Sequence, residues 1–317
     1  MPTLQQYAID WANPNAIPII NGLLKQSGIM ATAEFNEAEQ GLLDKYTVVT
    51  GLPTASIRAI NGSTAPTKSK EKQEQVDLKL IQADQEYDKV LVENSPGGKD
   101  VYFAKKLPAF IQAMGQAFSK YAIYGNNATF GSGDGFRGFH QFAKAFGNVT
   151  QLSGETGKRT SLIAVTYQPE AVDFLLPFGG NFADFLKSEW MNNGMWYKAI
   201  TSTTLNESKP VYGMMHTIIT ALRAAHKYSI AAITQIDDTH QPTAMQVDDM
   251  LDKVRATKGS TFIYASRKGK KGLKNLRYGK QVVDNADMNF MFDIKEWNDI
   301  TVVVDDNIRD DETTVLD

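Results

Sequence analysis

The tract NGSTAPTKSKEKQEQ, residues 61–75, offers a hydrophobic core almost nothing, yet it lies between two extended, weakly apolar runs at residues 48–60 and 76–80. Runs of that kind on either side of a polar tract read as two strands joined by a long loop. Connections inside compact domains are usually about 4–6 residues long, and longer ones poor in core formers are functional or disordered. The chain is therefore expected to fold as a body with a projecting hairpin. The tip of that hairpin has value only through contacts outside the body.

The body has the means to fold. With 317 residues, 42% of them hydrophobic and 22% charged, the chain can bury one large core or two modest ones. Its 33 basic and 36 acidic side chains leave a net charge of -3, too near neutral for a protein that coats a polyanion. There is no cysteine, which excludes disulfides, thiolate nucleophiles and sulfur-ligated zinc. The opening MPTLQQYAIDWANPNAIPII lacks a basic segment ahead of an apolar one, so no secretory leader is read there and the chain is expected to stay in the cytoplasm where it is made. No apolar run approaches the roughly 20 residues of a membrane-spanning helix, and no membrane partner is expected.

Residues 1–40 mix turn formers (Asn13, Pro14, Pro18, Gly22) with isolated apolar anchors such as Trp11 and Phe35, which is how an arm laid across another surface reads. Beyond Pro96, Gly97 and Gly98, the residues Phe103, Leu107, Phe110, Met114, Phe118 and Tyr121 recur every three or four positions and Gly125 follows. That spacing predicts one long helix over about 99–125, with Pro108 either in its first turn or at a kink. The glycine-, asparagine- and phenylalanine-rich stretch 125–148 predicts irregular chain pinned by aromatics. Residues 161–167, 262–265 and 300–304 predict strands. Thr243 and Gln246 form a capping box for a helix over 243–258, with Asp248 and Asp249 early, basic residues late and Gly259 closing it. Residues 212–236 give a divided local signal, helical at ALRAAHKY and strand-like at the flanking isoleucines. Mixed strands and helices without regular alternation argue an α+β fold.

No catalytic constellation, cofactor site or metal site emerges. The segment GETGKRT, residues 154–160, resembles a phosphate loop, but Leu152 stands where the motif needs its first glycine. GSGDG, residues 131–135, lacks the strand and helix that a dinucleotide loop requires. His140, His216, His226 and His240 are not spaced to share a helical turn beside a carboxylate, and Asp237 with Asp238 reads as readily as a turn before Pro242. One charge pattern stands out: Arg267, Lys268, Lys270, Lys271, Lys274, Arg277 and Lys280 fall in one stretch without an acid, and residues 281–317 hold eleven acids against Lys295 and Arg309. These are either two solvated faces or opposite-signed patches that meet across copies of the chain. A nucleic-acid role is a third reading, without the aromatic series that stacks on bases.

Taken in order, the arm, the polar-tipped hairpin, the long helix ending at Tyr124-Gly125-Asn126, the Gly135-Phe136 and Gly138-Phe139 phrases, TYQPEAVDFLLPFGG at 166–180, IAAITQID at 230–237 and TFIYASR at 261–267 resemble the major capsid proteins of tailed phages, the Hong Kong 97 fold. The resemblance spans nearly the whole chain. It implies an N-terminal arm at 1–45, an extended E-loop at 46–94, a peripheral domain at 95–238 with its spine helix at about 99–125, an axial domain at 239–298, and a C-terminal strand and tail at 299–317. It places 212–236 in the peripheral sheet, mainly extended. It also implies a homo-oligomer of hexameric and pentameric capsomers that encloses double-stranded DNA without reading its sequence, with a separate scaffolding protein and a portal as partners, and leaves open whether a decoration protein joins them. Some members link subunits through a lysine of the E-loop, where Lys68, Lys70 and Lys72 fall, although no acceptor site is recognisable. Contacts between subunits are expected at those lysines and at Arg267, Lys268, Lys270 and Lys271. The alternatives are an encapsulin-type compartment that holds an enzyme, and a nucleotide-dependent enzyme built on residues 154–160.

Overall fold

The computed structural model describes residues 27–126, 135–168, 172–179, 185–201, 206–280 and 294–312. In chain order they form α1 (Gly28–Thr32), β1 (Phe35–Glu37), β2 (Leu43–Gly51), β3 (Lys70–Asp77), β4 (Lys79–Asp88), α2 (Lys89–Glu93) and α3 (Gly98–Tyr124). There follow α4 (Phe139–Phe146), β5 (Val149–Gln151), β6 (Thr160–Thr166), β7 (Val172–Leu176), β8 (Lys187–Thr201), β9 (Asn206–Ala224) and β10 (Ile230–Ile236). The last are α5 (Ala244–Lys253), β11 (Thr261–Ala265), α6 (Arg267–Lys280), β12 (Glu296–Trp297) and β13 (Ile300–Val304).

The strands make two large sheets and a ribbon. One sheet runs β1-β7-β9-β4, with β8 also paired to β9; the other runs β12-β13-β11-β6-β10-β5; β2 and β3 pair only with each other. The apolar stripe of α3 supplies Ile111, Met114, Phe118 and Ala122 to the larger core, where they meet Phe35 of β1 and Phe174 of β7. The rings of Phe118 and Phe174 lie 4.9 Å apart and those of Phe35 and Phe174 5.6 Å. Strand β6 explains its own continuous apolar sequence. Ile163 and Val165 face that core, while Leu162 and Ala164 face a second one with Val247, Met250 and Leu251 of α5. A strand covered on both faces has no need of alternation.

The long helix is continuous through Pro108. Pro108 lies on the exposed side, so the carbonyl it leaves without an N–H partner can turn to water. The helix stops at Gly125 (φ 64°, ψ −137°), where a Cβ would stand 2.3 Å from the Gly138 nitrogen. Two glycines thus let the end of α3 and the start of α4 touch through their backbones.

Several expectations need correction. The stretch around Phe139, Phe142 and Phe146 is helical, not irregular; residues 127–134, including most of GSGDG, lie outside the described residues. Helix α5 keeps the Thr243–Gln246 capping box but ends at Lys253, because Arg255 takes a left-handed φ of 49° and the Ala256 N–H closes back on Leu251. Asp248 and Asp249 fall beyond its first turn. The basic stretch, read without an element, is α6. Of the arm proposed for 1–45, residues 27–38 belong to the body, since Ile29, Met30, Ala33 and Phe35 are buried in the main core; residues 1–26 lie outside the described residues. The sequential division between 95–238 and 239–298 does not follow the hydrogen bonds either. Strands β5, β6 and β10 share one sheet with β11 and β13, so 230–236 is extended but lies apart from β9.

Candidate assembly interface

The β2–β3 hairpin is the feature that the rest of the molecule does not explain. Its strands pair from Leu43 opposite Asp77 up to Gly51 opposite Lys70, so the connecting loop is 52–69 rather than 61–75. Lys70, Glu71, Lys72, Gln73, Glu74 and Gln75, all polar, form a strand because each stands opposite a residue of β2 and the hydrogen bonds are made by the backbone. At the tip Leu52, Ile57 and Ile60 are 86%, 103% and 95% exposed. Large apolar side chains so exposed on a projecting loop have no partner in the body, and a cover must come from elsewhere.

The root of the hairpin is bolted to the five-stranded sheet by buried charge. Arg223 of β9 donates to Asp44 of β2 at 3.0 Å and to both oxygens of Asp173 of β7, at 2.8 and 2.5 Å. Asn36 of β1 donates to the same Asp173 carboxylate, and the Glu39 N–H to Asp44. Asp44 and Asp173 are both 0% exposed. A single fork-shaped guanidinium bridges two carboxylates from different strands, which fixes the angle at which the hairpin leaves the body. Further out, the Tyr46 hydroxyl donates to Glu74 across the ribbon, and burial pushes that phenol up. Beside the root opens a polar groove of about 630 Å³, lined by Glu37, Glu39, Lys45 and Arg223 among others; it lacks the apolar walls of a small-molecule pocket. Sequence reasoning missed Asp44, Asp173 and Arg223. The available signal was a lone charge inside each of the apolar strands VDFLL and ALRAA.

Of the lysines expected at the interface, Lys72 pairs with Glu74 at 2.9 Å, while Lys68 is exposed on the loop and Lys70 opens β3. Arg267 holds Asp306 of its own chain through two bonds of 2.7 and 2.8 Å, and Lys268 reaches the Lys158 carbonyl and lies 3.5 Å from Asp238. The opposite-signed stretches therefore meet within one subunit at that point. Lys271 is exposed on α6 and Lys270 is half-buried.

The segment 154–160 is a turn. Its Gly154 and Glu155 N–H groups bond Gln235 and Asp237, Lys158 pairs with Glu155 at 2.9 Å, and strand β6 begins at Thr160 where a phosphate loop would open a helix. Asp237 is a turn residue whose carboxylate accepts from the backbone of Glu155, Thr239 and His240; burial alone would raise it, but those donors hold it well below the usual carboxylate range. No cluster of potential metal ligands occurs among the described residues, and no helix among them is long and apolar enough to cross a membrane.

Residues 12–316 match the family model of the major capsid protein GP7. Among solved structures, the chain resembles that of bacteriophage Epsilon15 with a TM-score of 0.59 at 18% identity, over 86% of this chain and 84% of that one. It also matches the capsid of bacteriophage JBD30 with a TM-score of 0.48 at 11% identity, over 89% and 90% of the two chains. No curated protein is significantly similar. The architecture is the Hong Kong 97-type fold of tailed-phage shells, as the order of sequence elements implied. The chain belongs to the major capsid protein GP7 family: it is a shell-forming major capsid protein, and its place is the capsid of the virion.

Proposed function

We propose that copies of this chain associate as hexamers and pentamers into a closed icosahedral shell around packaged double-stranded DNA, and that the hairpin loop 52–69 is the clamp between neighbouring copies. The observation that carries this reading is the exposure of Leu52, Ile57 and Ile60 on a loop that the body does not use, held at a fixed angle by the Arg223 cluster. Shell contacts are heterologous, so their angle decides whether the array closes. A net charge of -3 suits an inner wall that must not grip phosphates while DNA is packed against it. The spine helix with the five-stranded sheet forms the peripheral part and the six-stranded sheet with α5 and α6 the axial part. Assembly takes place in the bacterial cytoplasm, with a separate scaffolding protein and a portal as partners, and the chain performs no catalysis.

Negative-stain imaging of the purified protein, with nucleic acid and protein assayed in the recovered particles, tests this. Closed shells holding DNA are expected from infected cells. Shells that hold a second protein and no DNA would favour the compartment reading, and a chain that stays monomeric under all conditions would remove both.

A further inference from the structure

The last described residues form a strap between the spine helix and the six-stranded sheet. One end is fixed: Asp305 accepts from the Ser119 hydroxyl of α3 at 2.9 Å and from the Ile29 N–H at 3.2 Å, and Ile308 is buried in the main core. The other end is held by one buried side chain together with a few backbone bonds. Glu312 is 0% exposed, and its two carboxylate oxygens accept from the hydroxyls of Tyr124, the last residue of α3, at 2.7 Å and of Ser161 on β6 at 2.6 Å. The Tyr124 oxygen also accepts the Arg309 N–H at 2.9 Å, and the Glu312 backbone exchanges bonds with Arg159 and Gly157. Burial favours this carboxyl as the acid, because two neutral hydroxyl donors offset only part of the cost of desolvating the anion.

We propose that Glu312 is a proton-controlled bolt: as the acid it seats residues 309–312 between α3 and β6, and its ionisation loosens that end of the strap while the Asp305 end stays fixed. Loosening it uncouples the spine helix from the six-stranded sheet at their shared edge.

Burial pushes the Glu312 carboxyl up from 4.5 to about 7, against the lowering effect of the Ser161 and Tyr124 hydroxyls; Asp310 adds to the rise and Arg309 opposes it. Tyr124, His140, Arg309 and Asp311 keep their charge through that window. Burial holds Tyr124 protonated, and it holds His140, stacked on Tyr124, neutral by pushing it down to about 3. Arg309 is paired with Asp311 through two bonds of 2.7 Å, and Lys158 with Glu155. The Arg159 side chain donates to the Gly154 carbonyl. An acid whose folded value lies above its free value stabilises fully below the free value and loses that contribution as the pH rises through the folded one. The seated end is therefore firmest below pH 4.5 and loosens up to about pH 7.

The test is amide exchange of the unassembled full chain, corrected for the intrinsic rate at each pH and read at residues 309–312 against α3. With free and seated values of 4.5 and about 7, the opening constant is expected to rise on the order of 40-fold between pH 5 and pH 7 and to flatten above pH 8. Glu312→Gln, like the protonated acid, offers one acceptor and one donor to the two hydroxyls and carries no titrating proton, so its exchange should be flat with pH. Ser161→Ala removes a donor that favours the anion and should enlarge the rise. A flat wild type, a Glu312→Gln chain with the wild-type slope, or a Ser161→Ala chain with an unchanged or smaller rise would each overturn the proposal.

Discussion

Arg223 shows how a single side chain can set the geometry of a projecting element. It is 8% exposed in a strand whose neighbours are apolar, and it faces two carboxylates that are themselves fully buried. Removing it does not simply delete two ion pairs; it leaves Asp44 and Asp173 as like charges without a cation. Breaking a buried pair from one side costs about 3–5 kcal/mol, most of it the desolvation of the partner left behind. Arg223→Ala is accordingly expected to lower the unfolding free energy by that amount in a denaturant melt, and adding Asp173→Asn to recover part of it by removing one of the two stranded charges. A loss below about 1 kcal/mol would mean the cluster is hydrated and does not anchor the hairpin. None of this was legible in the sequence as a cluster. Asp44, Asp173 and Arg223 stand far apart along the chain, and only the register of β7 against β9 brings Asp173 opposite Arg223.

Elements whose burial follows a single period could be read from the sequence; those whose burial follows from packing could not. The stripe from Phe103 to Tyr121 specifies α3, and the β-branched runs specify β6, β11 and β13. In α4 the glycines around Phe136 and Phe139 masked a helical spacing of Phe139, Phe142 and Phe146. Helix α6 was read only as a charge pattern, and Gly269 and Gly272 are the residues that let it lie close: a Cβ on Gly269 would stand 3.1 Å from Leu162, and one on Gly272 2.1 Å from Gln241. The hairpin was legible in kind and misjudged in extent, because polar residues 70–75 were read as loop although their backbone completes a ribbon. The correction changes the experiment. Replacing residues 52–69 by an Asn-Gly turn keeps the β2–β3 register and removes only side chains that the body does not bury. The shortened chain is expected to melt within about 0.5 kcal/mol of the parent, as surface changes usually do. Its assembly is expected to fail or to give irregular particles. Shells of normal size and stability from the shortened chain would show the loop to be ornamental.

At the scale of the whole molecule, the charges that looked complementary across copies are partly satisfied at home, since Arg267 closes on Asp306 of the same chain. On the proposed role of the loop as a contact between copies, it offers a second electrostatic contribution to association. Residues 52–69 contain Arg58 and Lys68 and no acid, on a chain whose net charge is -3. A basic, exposed tip approaching a slightly acidic neighbour is attracted before any apolar contact forms, and such steering acts on the association rate more than on final affinity. It is also screened, over about 8 Å at physiological ionic strength. The initial rate of assembly followed by light scattering should therefore fall as salt rises. Arg58→Glu with Lys68→Glu should be slow at low salt and lose the dependence or invert it. Because neither residue touches the core, the doubly substituted subunit should melt like the parent, which separates slowed encounter from damaged folding. If both chains assemble at the same rate across the salt range, the tip acts through its apolar side chains alone, and the charges of Arg58 and Lys68 contribute solubility rather than direction.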